Sequence, residues 1–216
     1  MGESTVKSVD KVKNLGVIFD KNLTMDCQIS NIRKQCFHQI YNISHIRRYL
    51  SHSAIRTLVQ ANITSRLDYA NGLLYGLPQK DLEKLQTVQN TAARLIVKAS
   101  RRSHITPILI DLHWLPVEYR IRYKILTLTH KSVHQDSPLY LQNFVKRRTI
   151  NRTLRSNSKR RLEQPTYNLK SYGLRSFQVA AATEWNALPE NIRITTSLDT
   201  FKRLLKTHLF KKAYHL

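Results

Sequence analysis

The stretch LEKLQTVQNTAARLIV, residues 82–97, places Leu82, Leu85, Val88, Ala92, Leu95 and Ile96 at spacings of three and four. That period is one face of an α-helix, and the charged and polar residues between fall on the other faces. The stripe runs on to Ala99 and stops at the polar cluster Ser100-Arg101-Arg102-Ser103.

Upstream, the same spacing recurs twice. Ile29, Ile32, Cys36, Ile40 and Ile43 predict an amphipathic helix within residues 26–49, with Arg33, Lys34 and Arg48 off the stripe. Ser51 or Ser53 is positioned to cap a second helix carrying Ile55, Leu58, Val59, Ile63 and Leu67, which ends at the turn signals Asn71-Gly72 and Gly76-Leu77-Pro78. Three successive amphipathic helices imply a helical bundle. Ahead of them, KVKNLGVIFD (11–20) reads as a short strand ending at Asp20-Lys21-Asn22.

Downstream, residues 104–145 read as a short helix around 106–112, a break at Pro116, a helix bearing Ile121, Ile125, Leu128 and Val133, and a turn at Asp136-Ser137-Pro138; Trp114 and Leu115 are expected to wedge into the bundle. Tyr167, Leu169, Tyr172, Leu174 and Phe177 around Gly173 suggest a small hairpin, followed by a helix-like stretch to Trp185. A last amphipathic helix follows Ser197, with Phe201, Leu204, Leu205 and Leu209 inward and Lys202, Arg203, Lys206, Lys211 and Lys212 on the wet face. The expected fold is therefore mainly α: a helical bundle with a short N-terminal strand, a basic linker and a C-terminal hairpin-plus-helix segment. The expected division is 1–22, 23–145, 146–161 and 162–216.

Charge is the strongest compositional signal. The 216 residues hold 36 Lys and Arg against 14 Asp and Glu, a formal net charge of +22. Up to residue 108 there are 16 basic and 7 acidic residues, and beyond it 20 and 7, so both halves are cationic. Such a surface attracts polyanions, although the same excess also serves solubility. Its concentration favours a polyanionic partner: residues 146–161 contain eight cations (Lys146, Arg147, Arg148, Arg152, Arg155, Lys159, Arg160 and Arg161), no acid, and Ile150 and Leu154 as the aliphatic residues. The composition predicts a solvated linker. Its cations suit a phosphate-tracking strand, two spaced basic clusters of a nuclear-import signal, or a charged loop without a partner. Arg101 and Arg102 join the linker cations as candidate nucleic-acid contacts, and Tyr167, Tyr172 and Phe177 are candidates for stacking on unpaired bases or for a small core.

Catalytic chemistry finds no anchor. The 14 acids are scattered, with no Asp-Asp pair, and Asp81 and Glu83 are two apart, which on a helix points them to different faces. His130 and His134 have the spacing to share a metal, but HKSVH lacks the glutamate of a zinc protease. The two cysteines, Cys27 and Cys36, cannot complete a zinc ligand set and read as reduced thiols. No cofactor or metal is implied. No apolar run approaches the roughly 18 residues of a membrane span, so the expectation is an intracellular, soluble protein without a membrane partner, nuclear through its basic clusters or cytoplasmic.

Six stretches carry a resemblance: VKNLGVIFD (12–20), SRLDYANGLLYGLP (65–78), LEKLQTVQNTAARLIV (82–97), HITPILIDLHWLPVEYRIRYKILTLTHKSVH (104–134), WNALPENIR (185–193) and SLDTFKRLLKTHLF (197–210). Their order and spacing resemble the C-terminal part of the reverse transcriptase of jockey-like non-LTR retrotransposons. The resemblance implies a remnant of the last palm strand at 1–22 and a thumb-like bundle at 23–145 that holds template and primer. It implies a parent RNA-directed DNA polymerase whose catalytic hairpin would lie upstream of Met1, so no catalytic residue carries over. The implied partners are RNA or an RNA–DNA hybrid, with a palm domain in trans as a further candidate. The alternatives are an inert product of a truncated element or a protein-interaction adaptor. Ala180-Ala181-Ala182-Thr183 departs from the proline-containing stretch of relatives.

Overall fold

A computed structural model describes residues 9–148, 160–169 and 172–216. The fold is mainly helical with one two-stranded sheet, and the chain divides into two compact units. The first comprises described residues 9–70 with Leu77–Ser103, the second Asn71–Gly76 with the described residues from His104 to the end. The division thus falls within the segment 23–145 expected to form one bundle.

In the first unit the expected strand is a hairpin. β1 (Lys11–Asn14) pairs antiparallel with β2 (Val17–Asp20), Val12 opposite Phe19 and Asn14 opposite Val17. The turn Leu15-Gly16 has both residues at positive φ, 46° and 83°, the backbone of a tight two-residue hairpin. The apolar run reads as continuous because Leu15, 83% exposed, sits at the tip rather than in a strand. Asp20 then ties the hairpin to the helix that follows. Its carboxylate accepts from the backbone N–H groups of Thr24 (2.8 Å) and Met25 (2.7 Å). Burial pushes its pKa up, but these N–H donors outweigh burial and hold the carboxyl below its ordinary range.

α1 (Asp26–Ile46) buries Ile29, Ile32, Cys36, Ile40 and Ile43, the stripe legible in the sequence. α2 (His52–Val59) is capped by Ser51, whose hydroxyl accepts from Ala54 N–H, and continues through a π turn (Gln60–Thr64) into α3 (Ser65–Asp68). Ile55, Val59, Ile63 and Leu67 all remain buried at steps of four. On a regular helix each such step drifts by about 40°, and the wider π turn takes up part of that drift. α4 (Gln79–Val97) packs its Leu82, Leu85, Val88, Ala92 and Ile96 against this layer. α1 and α4 run parallel. At their N-terminal ends Lys84 Nζ lies 3.8 Å from Asp26. At their C-terminal ends Arg47 donates to the carbonyls of Leu95 (2.7 Å) and Ile96 (3.3 Å).

In the second unit, a short α5 (Ile105–Asp111) leads through buried Trp114 and Leu115 into α6 (Val117–Val133). The exposed α7 (Leu139–Phe144) follows. α8 (Phe177–Asn186), the single turn α9 (Glu190–Arg193) and α10 (Leu198–Tyr214, capped by Ser197) complete it. α8 and α10 pack on α6 around Leu126, Leu162, Trp185, Phe201, Leu205 and Leu209. The hairpin expected around Gly173 is instead a 3-10 turn, Gly173–Arg175, entering α8. Gly173 is required there because a Cβ would lie 2.7 Å from Tyr167 Cβ.

Trp185 is fully buried with its ring 5.8 Å from that of Phe201 and its indole N–H given to the carbonyl of Arg160 at 3.0 Å. We expect Trp185→Ala to destabilise the protein by about 3–5 kcal/mol through the cavity and the lost donor. Urea denaturation at neutral pH reads this directly; a loss under 1 kcal/mol would contradict the packing. Asp20→Ala should cost about 1 kcal/mol at neutral pH, the usual net contribution of a hydrogen bond. Because the folded carboxyl pKa is depressed, that contribution is intact above the ordinary carboxylate pKa of about 3.9 and is lost as pH falls through the folded value. Wild type and variant should therefore converge in acid.

Candidate nucleic-acid interface

Where they are described, residues 146–161 are tied together at their two ends. Arg147 and Leu162 form an antiparallel bridge. Arg148 N–H donates to the Arg161 carbonyl at 3.0 Å, and Glu163 N–H to the Lys146 carbonyl at 2.9 Å. The two ends of the basic run are thus brought side by side. The bridge is then docked: Leu162 is buried at 2% exposure, and the Asn186 amide accepts from Leu162 N–H and donates to its carbonyl, both at 2.9 Å. Asn186 in this way stands in for a neighbouring strand. At both ends of the run the side chains are exposed while the backbone is paired. Leu162 is a single apolar residue in a polar stretch, too little to register as a pattern, yet it enters the core beside Trp185.

Lys146, Arg147, Arg148, Arg160 and Arg161 are all exposed around this bridge. Two of them spend part of their guanidinium on helix ends. Arg147 Nη2 reaches the carbonyl of Val133, the last residue of α6, at 3.4 Å, and Arg160 Nη1 that of Ile194, just past α9, at 3.1 Å. Cations at helix C-termini meet the negative end of the helix dipole. One carboxylate, that of exposed Glu163, belongs to a residue of the pairing. The positive field is registered nearby. Burial, then the charges of Arg147 and Arg160, depress the His134 pKa. Burial followed by Arg161 depresses that of Arg193. Arg152, Arg155 and Lys159 lie outside the described residues.

Arg101 and Arg102 belong to the first unit, exposed in the turn that follows α4, where Arg102 N–H donates to Ser100 Oγ. Tyr167 and Tyr172 are 40% and 47% exposed, so their rings keep accessible faces, whereas Phe177 is half-buried at the start of α8.

His130 is a core residue. It is fully buried, its ring stacked on Phe201 at 4.2 Å, and its Nε2 is 2.9 Å from the Thr195 carbonyl. His134 lies 4.4 Å away ring to ring. Among the described residues no three His, Cys, Asp or Glu side chains converge to hold a metal ion. Cys36 is buried, and burial pushes its thiol up to about 11, which removes thiolate reactivity at neutral pH. No described helix is long and apolar enough to cross a membrane.

The residues missed by sequence reading are Arg47, Arg94 and Lys98, which with Arg101 line the cationic end of a groove between α1 and α4. A signal was present: Thr87, Thr91, Arg94, Lys98 and Arg101 repeat at spacings of four, three, four and three, a second, polar stripe beside the apolar one.

Burial lowers the pKa of His130, with the neighbouring His134 adding to it against the Thr195 carbonyl. The neutral imidazole is therefore the form that folding selects. Stability from this residue is intact above the unfolded value of about 6.5 and declines as pH falls through the folded pKa. We expect His130→Phe to flatten the loss of stability on acidification while costing about 1 kcal/mol near neutrality for the lost hydrogen bond; thermal melts across that range check it, and an unchanged slope would contradict it.

Comparison with protein-family models, with curated proteins and with solved structures finds no match to this chain.

Proposed function

We propose that this chain is a nucleic-acid-binding module of the type formed by the C-terminal region of a jockey-like non-LTR retrotransposon reverse transcriptase. It grips RNA or an RNA–DNA hybrid through basic surfaces and carries no catalytic centre of its own. The observation that carries the reading is the docked antiparallel pairing that gathers Lys146, Arg147, Arg148, Arg160 and Arg161 around one bridge in a chain of net charge +22. Cations at fixed spacing along a backbone suit phosphates, which are themselves evenly spaced. Further along the chain, Tyr167 and Tyr172 offer exposed ring faces to unpaired bases. The placement in a retrotransposon polymerase rests on the sequence resemblance.

A second reading, a protein-interaction adaptor, is favoured by one observation. β1 is exposed throughout, with Val12 53% exposed and the strand paired on one side by β2. An exposed edge is a template for another strand.

Binding to labelled single-stranded RNA across a salt series tests the first reading. Each phosphate contact adds about 0.7 to the slope of log K against log salt. Replacing the five described cations with Gln should therefore flatten the slope by roughly 3.5 if each makes one contact. Asn186→Ala, which keeps every charge but releases Leu162, should weaken binding in proportion to the disorder it introduces. Affinity indifferent to the five substitutions would exclude this surface.

A further inference from the structure

The groove between α1 and α4 in the first unit is open to solvent and offers about 740 Å³, within the range of small-molecule sites. Its chemistry changes along its length. The floor is apolar, formed by Phe37 and Ile40 from α1 and by Leu95 and Ala99 from the α4 side. Leu95 on α4 and Ala99 just past its end stay half-buried, because the groove leaves them uncovered. Toward the N-terminal end of the groove stand Thr87 and Thr91, whose hydroxyls donate to the carbonyls of Glu83 (2.9 Å) and Thr87 (2.8 Å). With their protons committed, they offer acceptor lone pairs. Toward the other end stand Arg47, Arg94, Lys98 and Arg101, and no carboxylate is among the lining residues.

This cluster is more than the complement of a helix terminus. The negative end of the α4 dipole is met by Arg47, which takes the carbonyls of Leu95 and Ile96, and Lys98 N–H closes onto the Arg94 carbonyl. Arg94 is held by its Nη2 on the Ser103 carbonyl at 3.0 Å. Lys98 and Arg101 are exposed and add cationic charge beyond what the helix end requires. A bare anion would leave the apolar floor empty, and an apolar peptide would leave the cations without counter-charge. A duplex presents phosphates but keeps its bases stacked inside. The complementary ligand is an amphipathic anion, flat and apolar at one end with hydrogen-bond donors near it, and phosphorylated at the other.

We propose that the α1–α4 groove is a subsite for one unpaired nucleotide, its base over Phe37 and the Thr87–Thr91 edge and its phosphate among Arg94, Lys98 and Arg101. The choice of a nucleotide over other amphipathic anions rests on the nucleic-acid reading above. The ligand is either a free mononucleotide or one residue of a single strand, and the test separates them.

The experiment titrates the full chain with AMP, with adenosine and with inorganic phosphate, following amide chemical shifts. AMP should saturate with shifts concentrated in residues 37–47 and 87–101, and adenosine and phosphate should each bind at least tenfold more weakly. Arg101→Ala, an exposed site whose loss leaves the fold intact, should weaken AMP about tenfold. Phe37→Leu, which keeps an apolar side chain, should weaken it about fivefold or more. Lys211→Ala on α10 should change nothing. Displacement of AMP by oligoadenylate identifies the strand-borne nucleotide; AMP binding that the oligomer leaves untouched identifies the free one. A flat AMP titration, phosphate binding as tight as AMP, or an Arg101→Ala variant indistinguishable from wild type overturns the subsite. RNA binding that depends on the five cations around the bridge while AMP fails would overturn the subsite alone. AMP binding sensitive to Arg101 while RNA ignores those five cations would overturn the interface reading and keep the groove.

Discussion

Holding like charges together is the constraint around which the second unit is organised. Five cations gathered at one bridge repel one another, less so in water than in a low-dielectric setting, and the backbone beneath them stays put only if something stronger fixes it. That fixture is Trp185 with Asn186. The indole binds the Arg160 carbonyl, the Asn186 amide pairs with both backbone groups of Leu162, and Leu162 itself is drawn into the apolar core. The cations therefore stay wet while the chain that carries them is anchored from below. A single buried leucine, flanked by residues that favour solvent, decides where the basic run begins and ends in space.

The first unit solves a related problem by other means. Its apolar stripes on α1, α2–α3 and α4 close a core at whose edge buried Asp81 pairs with Lys84, and the cations near the C-terminal end of α4 are spread around a groove rather than gathered on a bridge. Arg47 has a structural duty there, capping α4, and the surplus charge is left to Arg94, Lys98 and Arg101. Both units thus keep backbone carbonyls occupied by some of their cations and leave others facing solvent. Arg94, Arg147 and Arg160 do both, each giving one nitrogen to a backbone carbonyl and keeping further guanidinium donors.

Much of the helical architecture was legible from spacing alone. Ile29, Ile32, Cys36, Ile40 and Ile43 are buried as their period implies, and so are Leu82, Leu85, Val88, Ala92 and Ile96. Ser51 and Ser197 cap the helices they precede. Less was legible wherever tertiary partners decide. His130 is core because Phe201 and Trp185 surround it, while Leu128, apolar and in phase with Ile121 and Ile125, is half-buried. Periodicity says which face of α6 is apolar but not that α8 and α10, more than forty residues on, cover it. The division between units was hidden for the same reason, since it follows contacts and not composition. The candidate interface was half legible: its cations were plain in the sequence, but the pairing that groups five of them depends on Leu162 and Asn186, which carry no charge and no pattern.

The two ends of the basic run meet at a docked antiparallel bridge, their side chains exposed and their backbone paired. Amide hydrogen exchange tests it most directly, because three N–H groups are assigned specific acceptors there: Arg148 to Arg161, Leu162 to Asn186, and Glu163 to Lys146. The structure predicts that all three exchange far more slowly than exposed amides, with Leu162, the buried one, slowest. Exchange at the rate of an unstructured chain at these three positions would contradict it, and with it the surface on which the proposed grip on nucleic acid depends.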